Sequence, residues 1–175
     1  MVSVAVFGVV SATALPVMSG ALDSMRVRMA ARDVERELQT ARLRAVSSNR
    51  PIRVRFNCPE AGQYRIVELL GSPESPTVLD NHVARCGETE FPYPAGDNDA
   101  LTRPNHDGPL RSLPPGVSFG SVQTIEFWPN GTARIDADGG TPWPKIAAPG
   151  TTLSLTKGTE IRSIEVTGFG KMHLQ

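Results

Sequence analysis

The first 22 residues, MVSVAVFGVVSATALPVMSGAL, carry no charge and run straight into an amphipathic helical pattern that stops only near Asn49. About 20 apolar residues span a hydrocarbon core, so the first stretch is long enough to cross a membrane. Ser3, Gly8, Ser11, Thr13, Pro16, Ser19 and Gly20 dilute it, and a proline such as Pro16 bends a helix by removing one backbone bond. From residue 23 to 49, Val27, Ala30, Val34, Leu38, Ala41 and Ala45 recur at steps of three or four and form one apolar stripe. Asp33–Arg36 and Glu37–Arg42 are spaced to compensate one another on the other faces. Ser47-Ser48-Asn49 ahead of Pro51 is a stop signal, because the residue before a proline avoids the helical region. If the stretches join, they make one helix of roughly 70 Å. A body of 18.8 kDa cannot cover that length, so about half of the helix must project.

Charge is balanced in sum and segregated along the chain. Lysine plus arginine number 18 and aspartate plus glutamate 18, which argues against a general nucleic-acid or acidic-surface binder. Residues 26–55 nevertheless hold nine arginines against three acids, and residues 56–110 three arginines against nine acids. The first segment has three readings. Ala12-Thr13-Ala14 has the small-residue form of a signal-peptidase site; a buried core helix is a second reading and a retained anchor a third. For an anchor, the arginines that follow would place the body in the cytoplasm.

After Pro51 the period changes from 3.6 to 2. Ile52, Val54 and Phe56 alternate with Arg53 and Arg55, residues 64–69 form a second strand candidate, and residues 77–83 a weaker third. Residues 87–116 make a long loop rich in Pro, Gly, Asp and Asn, of a length that is functional or mobile. Residues 122–128 and 132–136 flank Pro129-Asn130-Gly131, a hairpin signal in which Asn and Gly both tolerate positive φ. Residues 151–156 and 161–167 flank a second turn, Lys157-Gly158-Thr159-Glu160. The fold class expected is α+β, with a projecting helix whose second half packs on an antiparallel sheet.

Chemistry-bearing motifs are poor. His82, His106 and His173 are isolated, and no nucleophile elbow or phosphate loop is present. Residues 136–140 and 96–99 suggest calcium superficially without completing the loop pattern, and turn chemistry accounts for both. Phe127, Trp128 and Trp143 read as sheet core. The chain is therefore expected to be no enzyme and to need no cofactor or metal. A bridge between Cys58 and Cys86 would close a loop of about 29 residues and contribute roughly 3–4 kcal/mol in an oxidising compartment; two buried thiols are the alternative.

Four segments carry a resemblance. Residues 4–16, with Gly8 and a proline eight positions on at Pro16, resemble the N-terminal helix of type IV pilins and pseudopilins. Leu38, Ala41, Arg42 and Ala45 match the Leu-x-x-Ala-Arg-x-x-Ala segment of the GspH/FimT branch of minor pseudopilins. Phe127-Trp128-Pro129-Asn130-Gly131-Thr132-Ala133 is similar to that branch's Phe-x-Pro-x-Gly-x-Ala hairpin, and residues 164–173 to its closing strand and Gly-Arg-x-Arg ending. The family's basic leader, cleaved glycine and early glutamate have no counterpart, so the chain is expected to lack its leader and first residues. Lys171 and His173 stand where the branch favours arginine.

The resemblance implies a pilin-like fold in three parts: residues 1–22 as a transmembrane helix half, 23–50 as an amphipathic half, and 51–175 as an antiparallel periplasmic domain bearing the loop 87–116. It implies a structural subunit of a type II secretion pseudopilus or type IV pilus, single-pass in the bacterial inner membrane. Its partners would be other pilin-like subunits, the inner-membrane assembly platform and, for a start further upstream, prepilin peptidase. Gly8, Ala12 and Pro16 are the candidate assembly positions; Val34, Leu38, Ala41 and Ala45 would hold the sheet to the helix. Asp97, Asp99 and Asp107 would form an acidic partner-facing surface. DNA is not an expected partner; Arg162 and Lys171 are what remains of a basic patch. A signal-anchored periplasmic binding module that does not polymerise, and a DNA-uptake minor pilin, are the alternatives.

Overall fold

The computed structural model describes residues 2–94, 104–120, 122–136 and 140–175, with side chains from residue 20 onward. One helix, α1, runs unbroken from Val2 to Ser48. It stops where Asn49 takes a positive φ of 53° ahead of Pro51, the left-handed residue that commonly closes a helix. Val27, Ala30, Ala31, Val34, Leu38, Ala41 and Ala45 are all buried, and the small residues among them let the helix lie close to what it packs on.

Two antiparallel sheets wrap this stripe. The first contains β1 (Ile52–Phe56), β2 (Gln63–Glu68), β3 (Arg111–Ser112), β5 (Ile125–Phe127) and β6 (Ala133–Ile135), in the order β3-β2-β1-β5-β6. The second contains β4 (Ser118–Phe119), β7 (Thr151–Lys157), β8 (Glu160–Val166) and β9 (Met172–Leu174), in the order β4-β7-β8-β9. Val54 opposite Ile66 and Leu153 opposite Ile164 fix the registers that turn apolar side chains toward α1. Phe56, Tyr64 and Phe119 close the seam between the sheets, with ring centroids 5.1 Å apart for Phe56–Phe119 and 5.6 Å for Tyr64–Phe119.

The turn at 129–131 departs from the two-residue form. Only Gly131 has a positive φ, of 78°; Gly131 N–H donates to the Trp128 carbonyl, and Trp128 N–H to Thr132. Pro129 fixes its own φ at a negative value, so the chain takes a type I turn followed by one left-handed residue. The β7–β8 turn is the two-residue form, with Gly158 supplying its positive φ of 59°.

Residues 77–83 are not a strand. They form α2 (Val78–Asn81), followed by a 3₁₀ turn at Val83–Cys86. Asp80 decides this: its carboxylate accepts from Thr77 N–H at 2.7 Å and from Leu70 N–H at 2.7 Å, so it caps the helix and closes the preceding bend. The segment 87–116 is also less loop-like than its composition suggests, since Arg111–Ser112 pairs with β2 and Gly108 N–H donates to Ile66 at 2.9 Å. Asp97 and Asp99 lie outside the described residues, as do residues 137–139 of the first calcium-like run. Asp107 is described, and it is buried rather than part of an acidic surface.

Candidate assembly surface

Alternation in β1 and β2 puts Arg53, Arg55, Arg65 and Val67 on the face away from α1. Such a face is ordinarily wet. Here residues 70–94 and 104–110 cover it, and Arg53 and Arg65 are buried. Arg53 Nε donates to Glu126 Oε2 at 2.8 Å, Trp128 Nε1 donates to Glu126 Oε1 at 2.6 Å, and the Arg53 guanidinium lies 4.0 Å from the centre of the Trp143 ring. Arg65 donates to the carbonyls of Gly108 at 2.7 Å, Gly87 at 2.6 Å and Phe91 at 2.7 Å. Arg85 holds Asp107 with both terminal nitrogens, its Nη2 lying 2.9 Å from Oδ1, and also donates to the Glu68 carbonyl at 2.7 Å. The Cys58–Cys86 disulfide ties the same layer to the end of β1. Arg53 thus finds its acid on the neighbouring strand, while Arg65 and Arg85 find theirs, and their carbonyls, within the covering segment; a covered charge needs such partners.

On the helix side, Tyr64 lies under the acidic row of α1. Burial first, then Glu37 and Asp33, push its phenol up from 10 to about 12, with Arg111 acting the other way. Between those values the unfolded chain has released a proton that the folded chain retains. Stability is therefore complete below about pH 10 and falls as pH rises toward 12, by at most about 1.4 kcal/mol per pH unit. An ultraviolet titration should place the Tyr64 tyrosinate transition near 12; a transition near 10 would contradict this packing. Glu37 is engaged with Arg111 at 3.7 Å rather than with Arg42.

Arg42 is used elsewhere. Its Nε donates to the Gly131 carbonyl at 3.2 Å, and a Cβ on Gly170 would stand 2.5 Å from that same oxygen and 2.7 Å from Arg42 Nε. Helix, β5–β6 hairpin and C-terminal turn therefore meet at one guanidinium. Gly170 has φ of +68°, so Gly170→Ala adds backbone strain to a clash with a carbonyl that cannot move aside. Thermal or denaturant unfolding should show a loss of about 2–3 kcal/mol, and an unchanged midpoint would remove the junction from the account.

The outward side of α1 is apolar in places. Leu22, Met25 and Met29 rise at steps of three and four and are exposed, Met25 by 63%, and Leu43 is exposed by 67%. Among the described side chains of α1 the first buried one is Val27. Among the described residues no helix is long and apolar enough to cross a membrane, and no group of three or more His, Cys, Asp or Glu is placed to hold a metal ion.

The family model described as type II transport protein GspH matches residues 30–170. The chain belongs to the GspH family. It is a pilin-like structural subunit, of the class built into type II secretion pseudopili or type IV pili. Among solved structures, the type IV minor pilin FimU of Pseudomonas aeruginosa is similar at 16% identity, with a TM-score of 0.50 over 85% of this chain and 87% of that one. The minor pseudopilin EpsH of the Vibrio cholerae Type 2 Secretion System is similar at 12% identity, with a TM-score of 0.48 over 86% of this chain and 96% of that one. No curated protein matches it in sequence.

In this GspH-family subunit, Val34, Leu38, Ala41 and Ala45 sit at the helix–sheet seam. Gly8, Ala12 and Pro16 lie in the part of α1 whose side chains are outside the described residues. Arg162 and Lys171 are not brought together. Arg162 pairs with Leu155 and shares the helix-facing side of its sheet, whereas Lys171 follows the parity of His173 and Glu165 on the opposite side. They are also about 16 Å apart along the strands, so no joint basic patch forms. Sequence reading missed the buried arginine layer; the charge imbalance does not mark it, since Arg65 and Arg85 lie in the acidic segment itself.

Proposed function

We propose that the chain is a minor pilin-like subunit, anchored in the bacterial inner membrane by residues 1–22, with residues 51–175 in the periplasm. It polymerises through α1 with other pilin-like subunits on an inner-membrane assembly platform. The observation that carries this reading is the reach of α1: it begins at Val2, while its first contact with the body among the described side chains is the Asp23–Lys157 ion pair at 3.2 Å, leaving about 31 Å of helix ahead of it. An uncharged helix satisfies its own backbone in lipid and can later bury the same surface against neighbouring helices. The Cys58–Cys86 disulfide belongs in an oxidising compartment, which supports the periplasmic side.

Gly8 and Ala12 would permit the close helix approach, and Pro16 the bend. Ala12→Asp should abolish recovery of the subunit in sheared filaments from an overproducing strain, while the disulfide and protease resistance of the domain persist. Undiminished recovery would favour a signal-anchored module that does not polymerise. N-terminal peptide mapping of protein taken from native membranes supplies the second arm. A mature start near Leu15 means a removed segment and would end the filament reading.

A further inference from the structure

β9 is the last strand of its sheet, and among the described residues no strand pairs with its outer edge. Ser163 and Gln175 exchange both backbone hydrogen bonds, at 2.8 and 3.4 Å, and Thr167 N–H donates to the Lys171 carbonyl at 2.9 Å. Bonded and non-bonded pairs alternate along an antiparallel ladder. Lys171, His173 and Gln175 therefore turn their peptide groups toward β8, and Met172 and Leu174 turn theirs to the open side. Side chains alternate as well: Met172 and Leu174 pack on the core, while Lys171 and His173 stand exposed on the outer face.

A trough lies on each side of this edge. Toward the helix, Gln39, Arg42, Leu43 and Met172 line about 300 Å³. On the outer face, Lys145, Lys171, Ile146, Pro149 and Phe169 help line about 560 Å³, and Phe169 is 74% exposed. Lys145 lies 3.5 Å from the centre of the Phe169 ring. Neither ammonium has a carboxylate partner among the described residues.

We propose that the β9 edge receives an extended strand from a partner protein, one whose alternate side chains are acidic. Its backbone pairs with the outward peptide groups of Met172 and Leu174. Its acidic side chains reach Lys171 and Lys145, and the side chains between them cover Leu43. A lysine on a short edge strand also discourages indiscriminate pairing, but the exposed Phe169 beside it does the reverse. A second copy is a poor occupant, because an antiparallel pair through both outward peptide groups sets Met172 opposite Leu174 and Lys171 opposite Gln175, and so offers no acid to either lysine. Nucleic acid is a poor one too: two ammonium groups are few for a phosphate backbone, and Glu165 stands in register with His173. The proposal goes beyond the filament reading, which concerns α1.

The test uses the purified full chain and a synthetic peptide of about ten residues alternating glutamate with valine. Controls are the lysine-for-glutamate peptide, the backbone N-methylated peptide and a short DNA duplex. Fluorescence anisotropy should show binding of the glutamate peptide alone, weakened about tenfold by Lys171→Glu. Hydrogen exchange should slow at the Met172 and Leu174 amides. The lysine peptide should bind Lys171→Glu better than it binds the parent chain. No binding by the glutamate peptide, binding that leaves those amides unprotected, indifference to Lys171→Glu, or preference for the duplex would each overturn the proposal.

Discussion

Asp107→Ala should cost about 3–5 kcal/mol, the range expected when one partner of a buried ion pair is removed and the other charge stays behind. Arg85 is fully buried and holds Asp107 with both terminal nitrogens, and Asp107 Oδ1 also accepts from Glu68 N–H at 2.8 Å. Without the carboxylate, Arg85 keeps, among the described residues, the Glu68 carbonyl as the acceptor at its terminal nitrogens. The loss should be local in form. Hydrogen exchange should rise through residues 70–94 and 104–110 while amides of β7 and β8, on the other sheet, keep their protection. The disulfide limits how far the layer opens, so combining Asp107→Ala with Cys86→Ala should produce more than either change alone. A cost under about 1 kcal/mol would mean that the layer is held by its backbone contacts and not by this pair.

Leu38→Ala should cost about 2–5 kcal/mol. Leu38 is the largest fully buried side chain that α1 gives to the seam, and it is flanked there by Val34 and Ala41, too small to fill the space it would leave. Leu43→Ala, five residues on but 67% exposed, should change stability by no more than about 0.5 kcal/mol. The pair of variants, read by denaturant unfolding of the full chain, separates packing from helix propensity, which is the same substitution in both cases. Equal costs would show that α1 is held by something other than its apolar stripe.

Much of the fold was legible because its elements obey their periods without competition. The stripe Val27–Ala45, the stop at Asn49-Arg50-Pro51 and both hairpins follow from local residues. The segment 77–83 misled because Val78, Leu79 and Val83 are β-formers or apolar, yet all three are exposed. The better signal was Thr77-x-x-Asp80, an N-terminal capping pattern, whose acid also closes the bend at Leu70. Arginines alternating with apolar residues read as one dry and one wet face. No local rule says that a distant acidic segment will fold back and cover the wet one. The same applies at Arg162 and Lys171: nine positions apart in sequence, they read as the remainder of one basic patch, whereas the two-residue period of β8 and β9 assigns them to opposite faces. The convergence of three motifs on Arg42 was hidden for a similar reason. Each motif is intelligible alone as helix, turn or strand, and only the close approach of Gly170 to the Gly131 carbonyl shows that they form one joint.

The seam between α1 and the sheets has a mechanical meaning. Its buried side chains run along the helix from Val27 to Ala45, about 27 Å of axial length, and Arg42 rivets the far end to two turns. A pull on the N-terminal end of α1 acts along that seam, so it loads the apolar contacts in parallel, as a lap joint does. They must slip together rather than open one after another from an end. A body fastened this way can be drawn along by its stalk with little risk of being stripped from it, whereas the same contacts pulled sideways would give way in sequence.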